Sequence, residues 1–159
     1  MSELVQDAER AFQRVVRMLN ASEQSSLKVR EKLARAGYED DIIEQAISRA
    51  RACGIIDDSR YAETLVRSTI SQGKGFRFAQ AELEKLGIML EDVAAYREHE
   101  ENSFDDASLT DEERALAFLE AHPPRAKNLR DAAFRKLMGK GYGPETAASV
   151  ARRWCEATR

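Results

Sequence analysis

The sequence predicts an all-α protein built from three tandem three-helix repeats. Three observations carry this. Apolar residues recur at helical spacing along nearly the whole chain. No segment sustains the apolar–polar alternation of a β-strand. One helix-stop pattern occurs three times at near-constant spacing.

The helices follow in order. Leu4, Ala8, Ala11, Phe12, Val15 and Leu19 form one stripe and predict a helix over 4–20. A second helix over 25–36 stops at Gly37. Ile42, Ile43, Ala46, Ile47, Ala50 and Cys53 mark a third over 39–53. Asp57 and Asp58 offer oxygen acceptors to the free N–H groups of a fourth helix over 58–72. Glycines bound a fifth over 76–86, and a sixth follows over 89–101. Thr110 and Glu113 have capping-box spacing at the start of a seventh, 111–121, with Ala115, Phe118 and Leu119 on its apolar face. Asn128, with Asp131 three residues on, opens an eighth over 128–139. Pro144 sits where a first-turn proline is tolerated, so the ninth runs over 144–157. Its stripe is Ala147, Val150, Ala151 and Trp154.

The repeated stop is a leucine four residues before a glycine, with an apolar residue after it. It reads Leu33…Gly37-Tyr38, Leu83…Gly87-Ile88 and Leu137…Gly141-Tyr142. A left-handed glycine closes a helix and folds the next residue back over the last turn. Tyr38, Ile88 and Tyr142 are therefore expected to cover Leu33, Leu83 and Leu137. The glycines lie 50 and 54 positions apart, which sets a repeat of about fifty residues. The expected organisation is a first repeat over 1–56, a second over 57–101, an acidic linker NSFDDASL at 102–109, and a third repeat over 110–159.

Composition narrows the function classes. The chain has 159 residues, is 43% hydrophobic and 33% charged, and has a net charge of −3. No uncharged run approaches the roughly 18 residues of a membrane span. The N-terminal residues MSELVQDAER lack the pattern of a secretory signal. Cys53 and Cys155 suit a reducing cytosol and form neither a disulfide framework nor a zinc pattern. Charge comes in blocks. Residues 86–113 hold one base, Arg97, against ten acids, whereas residues 114–159 hold ten bases against four acids. A net charge near zero argues against strong sequence-independent DNA binding.

No catalytic constellation is evident, and no cofactor or metal is expected. His99 and His122 have no matching nucleophile and are read as surface residues. The carboxylates fall on helix starts and in the acidic run, where capping and solvation account for them. Gly73-Lys74-Gly75 lacks the remainder of a phosphate-loop pattern and reads as a turn, although Lys74 between two glycines could meet a phosphate. Arg152 and Arg153 flank the Trp154 stripe and are available for contact.

The segment Gly54-Ile55-Ile56-Asp57-Asp58-Ser59-Arg60-Tyr61-Ala62 resembles the signature of the RecX family of recombination regulators. Lys74-Gly75, Glu82-Leu83 and Gly87-Ile88 match its second repeat. Ser25, Lys32-Leu33 and Gly37-Tyr38 match the first, and Lys140-Gly141-Tyr142 with Val150 match the third. The resemblance covers about residues 8–155. Two departures stand out: Lys28 occupies a position where the family has glutamate, and the chain is acidic overall where many members are basic.

The resemblance implies a cytoplasmic bacterial protein, monomeric and not membrane-bound, whose repeats form an elongated, curved array. It implies a regulator of homologous recombination and DNA repair. Such a protein binds RecA recombinase filaments on single-stranded DNA, inhibits ATP hydrolysis and strand exchange, and promotes filament loss. The basic residues Arg67, Lys74, Arg77, Lys136, Lys140, Arg152 and Arg153 are the contact candidates, toward acidic recombinase surface or DNA phosphate. The alternative is a helix-turn-helix DNA-binding regulator. It is weakened by Glu39-Asp40-Asp41 and Pro144-Glu145 at the starts of the helices that would read bases. A structural scaffold with another partner is a third reading.

Overall fold

The structure is a computed structural model describing residues 2–104 and 109–158, the side chain of Phe104 aside. It is all-α, as the periodicity predicts. The helices are α1 (Glu3–Ala21), α2 (Ser26–Arg35), α3 (Asp40–Ala52), α4 (Asp58–Ser71), α5 (Arg77–Lys85), α6 (Ala94–Phe104), α7 (Asp111–Ala121), α8 (Leu129–Gly139) and α9 (Pro144–Ala157), with a 3₁₀ turn at Leu90–Asp92. The chain divides into two compact units, Met1–Thr64 and Leu65–Arg159, with the boundary inside α4.

The first unit closes on one apolar core. Ala11, Phe12 and Val15 of α1 meet Ile42, Ile43, Ala46, Ile47 and Ala50 of α3, and Val29 and Leu33 of α2 complete the cluster with Ile56. These are the stripes that the 3.6-residue period marks.

In the second unit, Ala115 and Leu119 of α7, Ala133 and Leu137 of α8, and Ala147, Val150, Ala151 and Trp154 of α9 form a core that also holds Tyr142. Val66, Phe76, Ala79, Leu83, Leu90, Val93 and Ala95 are buried in the earlier part of the same unit.

The repeated stop has the geometry expected of it. Gly37, Gly87 and Gly141 have φ of +90°, +71° and +100°. Tyr38, Ile88 and Tyr142 each donate a backbone N–H to the carbonyl of Leu33, Leu83 and Leu137, at 3.2, 3.0 and 3.1 Å. This six-residue return is the Schellman closure. All three leucines are fully buried.

Three expectations need correction. The sixth helix does not run unbroken over 89–101. A 3₁₀ turn occupies Leu90–Asp92, and Val93 is extended at φ −81°, ψ 121° before α6 begins. Leu90 and Val93 are both buried, and a 3₁₀ turn aligns residues three apart. Arg97 donates to the Glu91 and Asp92 carbonyls that the break sets free, at 3.2 and 2.9 Å. Second, α6 continues to Phe104, into the segment expected as linker; residues 105–108 of that segment lie outside the described residues. Third, His99 is buried rather than exposed. Its ring meets Phe76 edge-on at 5.5 Å, and its Nε2 lies 3.8 Å from Asp111. His122 is exposed and packs against Phe118 at 5.1 Å.

Candidate interaction surface

The signature segment of the first unit is a clasp. Asp57 Oδ1 accepts from the N–H groups of Ser59 and Arg60, at 3.0 and 3.1 Å, and so caps α4. Asp58 turns the other way and accepts from the Ser26 N–H at 2.8 Å and the Ser26 hydroxyl at 2.6 Å. Ser25 caps α2 by accepting from the Lys28 N–H at 3.2 Å. With lysine at 28, α2 lacks the carboxylate of a capping box. Asp58, 32 positions further on, supplies a carboxylate to the same helix start. Arg60 donates to the carbonyls of Gly54 and Ile55, at 3.1 and 2.9 Å, and to Glu23 at 3.0 Å. Those carbonyls follow the end of α3 and have no helical partner. The signature therefore welds α2, α3 and α4 together, and these residues are occupied by structure.

The second unit has a joint that brings candidate cations together. Gly75 donates its N–H to the Lys140 carbonyl at 3.3 Å, and Arg77 donates its N–H to the Gly141 carbonyl at 3.1 Å. The two strands of chain touch so closely that a Cβ on Gly75 would lie 2.6 Å from the Tyr142 Cα. The Tyr142 hydroxyl donates to the Gly73 carbonyl at 2.6 Å. Burial pushes the Tyr142 phenol above the ordinary tyrosine range, so it stays protonated as this donor. Gly73-Lys74-Gly75 is thus a packed turn, as its sequence suggests.

Arg114 locks the joint from beneath. It is 7% exposed, and its guanidinium donates to the carbonyls of Thr69, Ile70 and Lys74 at 3.3, 3.3 and 2.7 Å. The first two are carbonyls in the last turn of α4, where a cation is favoured. Asp111 pairs with it at 3.1 Å, which compensates the buried charge.

The seven candidate cations fall into groups. Lys74, Arg77 and Lys140 surround the joint, and Lys136 lies one turn before Lys140 on α8. Arg77 also donates to the Met138 carbonyl, and its guanidinium lies 4.7 Å from the centre of the Phe78 ring. The Lys140 ammonium stands 5.0 Å over the Phe118 ring. Arg152 lines an open hollow of about 600 Å³ with Lys127, Asn128, Arg130 and Cys155. Arg67 faces Glu98 at 3.6 Å, and Arg153 pairs with Glu112 at 3.0 Å, so both spend charge on carboxylates within the chain. Lys74, Arg77, Lys136, Lys140 and Arg152 have no ion-pair partner among the described residues.

Sequence reasoning missed Arg114 and Phe78. Arg114 carried a usable signal, because it lies four residues before Phe118 on an apolar face where a solvated arginine would be misplaced. Phe78 carried none: a phenylalanine in a helix is ordinarily core, yet this one is 50% exposed. Among the described residues no group of three or more His, Cys, Asp or Glu could hold a metal ion, and no helix is long and apolar enough to cross a membrane. Both cysteines are free.

This is a helical-repeat protein that presents cations on a hydrogen-bonded scaffold. Comparison with known proteins names the kind. The first three-helix domain of RecX matches residues 11–49. The regulatory protein RecX of Mycobacteroides abscessus is 34% identical over 88 residues, covering 55% of this chain and 43% of that protein. That of Geobacillus thermodenitrificans is 30% identical over 152 residues, covering 89% and 52%. That of Clostridium perfringens is 26% identical over 142 residues, covering 87% and 65%. A crystal structure of RecX from Lactobacillus salivarius shares the fold, with a TM-score of 0.61 over 96% of this chain and 99% of that one, at 18% identity. Along most of its length the chain is similar to regulatory proteins of the RecX family. It spans about two fifths of the mycobacterial relatives and about half of the Geobacillus one.

Proposed function

We propose that this chain regulates recombination by binding the RecA filament on single-stranded DNA, restraining its ATP hydrolysis and strand exchange and favouring its disassembly. The observation that carries the reading is the joint of the second unit. Backbone hydrogen bonds join the segments that carry Lys74, Arg77 and Lys140, and none of the three has an ion-pair partner among the described residues. Cations left unpaired on a rigid support suit an anionic partner better than a solvated face whose charges pair internally. A repeat protein has a large surface for its mass, and contacts repeated on successive filament subunits reinforce one another through effective concentration. The partner is the filament in the cytoplasm, the chain acts as a monomer, and no cofactor takes part.

The test is the single-strand-dependent ATPase of the cognate recombinase, titrated with this chain. Inhibition that saturates below one chain per recombinase monomer is expected. No inhibition in molar excess would sink the proposal.

A further inference from the structure

Among the described residues, Phe78 stands apart from the other aromatic rings of the second unit. Phe76 is 7% exposed, Tyr142 1% and Trp154 7%, whereas Phe78 leaves half its surface open. Its position is nevertheless fixed. The ring edge rests on the bare Gly141 Cα, so that a Cβ there would lie 3.1 Å from Phe78 Cδ2. The Arg77 guanidinium lies 4.7 Å from the ring centre and is itself held by the Met138 carbonyl. An exposed ring supported at its edge and against a cation cannot collapse into the core. It carries the cost of exposure permanently.

Its surroundings say what covers it. Lys74 precedes it by four residues, Arg77 by one, and Lys140 adjoins the glycine beneath the ring. Glu82, one turn further along α5, has a partner of its own. A flat aromatic face beside a guanidinium that has no ion-pair partner among the described residues matches the repeating unit of a single-stranded nucleic acid, a base flanked by phosphates. A double helix keeps its base faces stacked inside and offers the ring nothing. An apolar protein pocket would accept the ring but would have to desolvate the cations around it.

We propose that Phe78 is a stacking platform for an unpaired base of single-stranded DNA, with Arg77, whose guanidinium stands against the ring, placed for an adjoining phosphate. This deepens the proposed function, on which it rests for the identity of the strand. It assigns the joint to the nucleic acid rather than to the recombinase.

The test uses the full chain at low salt and measures fluorescence anisotropy with two labelled oligonucleotides, oligo(dT) and a strand of equal length and charge whose central sugars carry no base. Wild type should bind oligo(dT) about tenfold more tightly than the abasic strand, the scale of one stacked base. Phe78→Ala should lose that preference and bind both strands as wild type binds the abasic one. Phe78→Trp should keep the preference, and its emission should be quenched by oligo(dT). Equal affinity of wild type for the two strands overturns the inference, as does undetectable binding to either. A Phe78→Ala chain that retains the preference for bases also overturns it. If Phe78→Ala abolishes ATPase inhibition while leaving oligo(dT) binding intact, the ring seats in protein and the inference fails. A strand preference that holds in a chain unable to inhibit the recombinase would instead refute only the proposed function. Circular dichroism of each variant confirms that it is folded.

Discussion

Replacing Gly75 by alanine tests whether the joint of the second unit is a true packing contact. The φ of Gly75 is not in the left-handed region, so backbone strain alone would make the substitution nearly neutral. The contact says otherwise. The new Cβ would lie 2.6 Å from both the Gly141 carbonyl carbon and the Tyr142 Cα, all backbone atoms that cannot swing aside. Restoring ordinary contact requires the two segments to part by about 1 Å, which breaks the Gly75–Lys140 bond, already 3.3 Å, and strains the Arg77–Gly141 bond. Two backbone hydrogen bonds contribute roughly 1 kcal/mol each. Overpacking adds about 1–3 kcal/mol. The expected loss is therefore about 3–5 kcal/mol. Two other glycines calibrate it. Gly87 has φ +71° with nothing near its missing Cβ, so Gly87→Ala should cost about 1–2 kcal/mol from conformation alone. Gly139 lies in α8 with open space around it, so Gly139→Ala should stabilise by up to about 1 kcal/mol. Urea unfolding of the three variants, with midpoints and slopes compared to wild type, reads the series directly. If Gly75→Ala falls within about 0.5 kcal/mol of Gly87→Ala, the joint is not close-packed and the argument for a rigid support fails.

Leu137→Ala should cost about 2–5 kcal/mol by leaving a cavity under Tyr142, and Gly141→Val should also destabilise; thermal melts indistinguishable from wild type would place the repeat register in error. Arg114→Met should destabilise by about 2–4 kcal/mol in chemical unfolding, because the carbonyls of Thr69, Ile70 and Lys74 lose a buried charged donor; an unchanged midpoint would show that solvent serves them equally well. Reversing Lys136, Lys140, Arg152 and Arg153 to glutamate should leave the fold intact, since among the described residues the only ion pair broken is the half-exposed one between Arg153 and Glu112. The same variant should bind the recombinase–DNA filament more weakly and with a shallower salt dependence than wild type, while reversal of Arg10, Arg14 and Arg17 on α1 should matter less. Equal inhibition by the quadruple variant at low and high salt would reduce the basic face to a solvated surface.

The helices were legible in the sequence because each is specified locally. The stripe over Ile42–Ala50, the box at Thr110–Glu113, the Asn128 cap and the left-handed glycines all act within about five residues. For α7 and α9 the expected bounds and the observed ones coincide. The break at Val93 was not legible, because it arises from burying Leu90 and Val93 on one side while Arg97 caps the carbonyls set free. Nor was the use of the signature. Asp57 caps its own helix, as the pattern suggests, but its neighbour Asp58 reaches Ser26, and no spacing rule links positions 32 residues apart.

The candidate surface divides in the same way. Counting charges places the basic residues in the last third, and helical register places Arg152 and Arg153 outward. Only tertiary contact decides which charges remain available: Glu98 occupies Arg67 and Glu112 occupies Arg153, while Lys74, Arg77 and Lys140, carried by segments that the joint brings together, have no ion-pair partner among the described residues. The Phe78 ring rests on Gly141, one of the two glycines that meet across the joint. Backbone can approach backbone this closely only where neither carries a side chain, and that pairing of Gly75 with Gly141 spans 66 residues. Local preference fixes the elements of this protein; the meeting of distant segments fixes which of its side chains stay exposed and which are tied down.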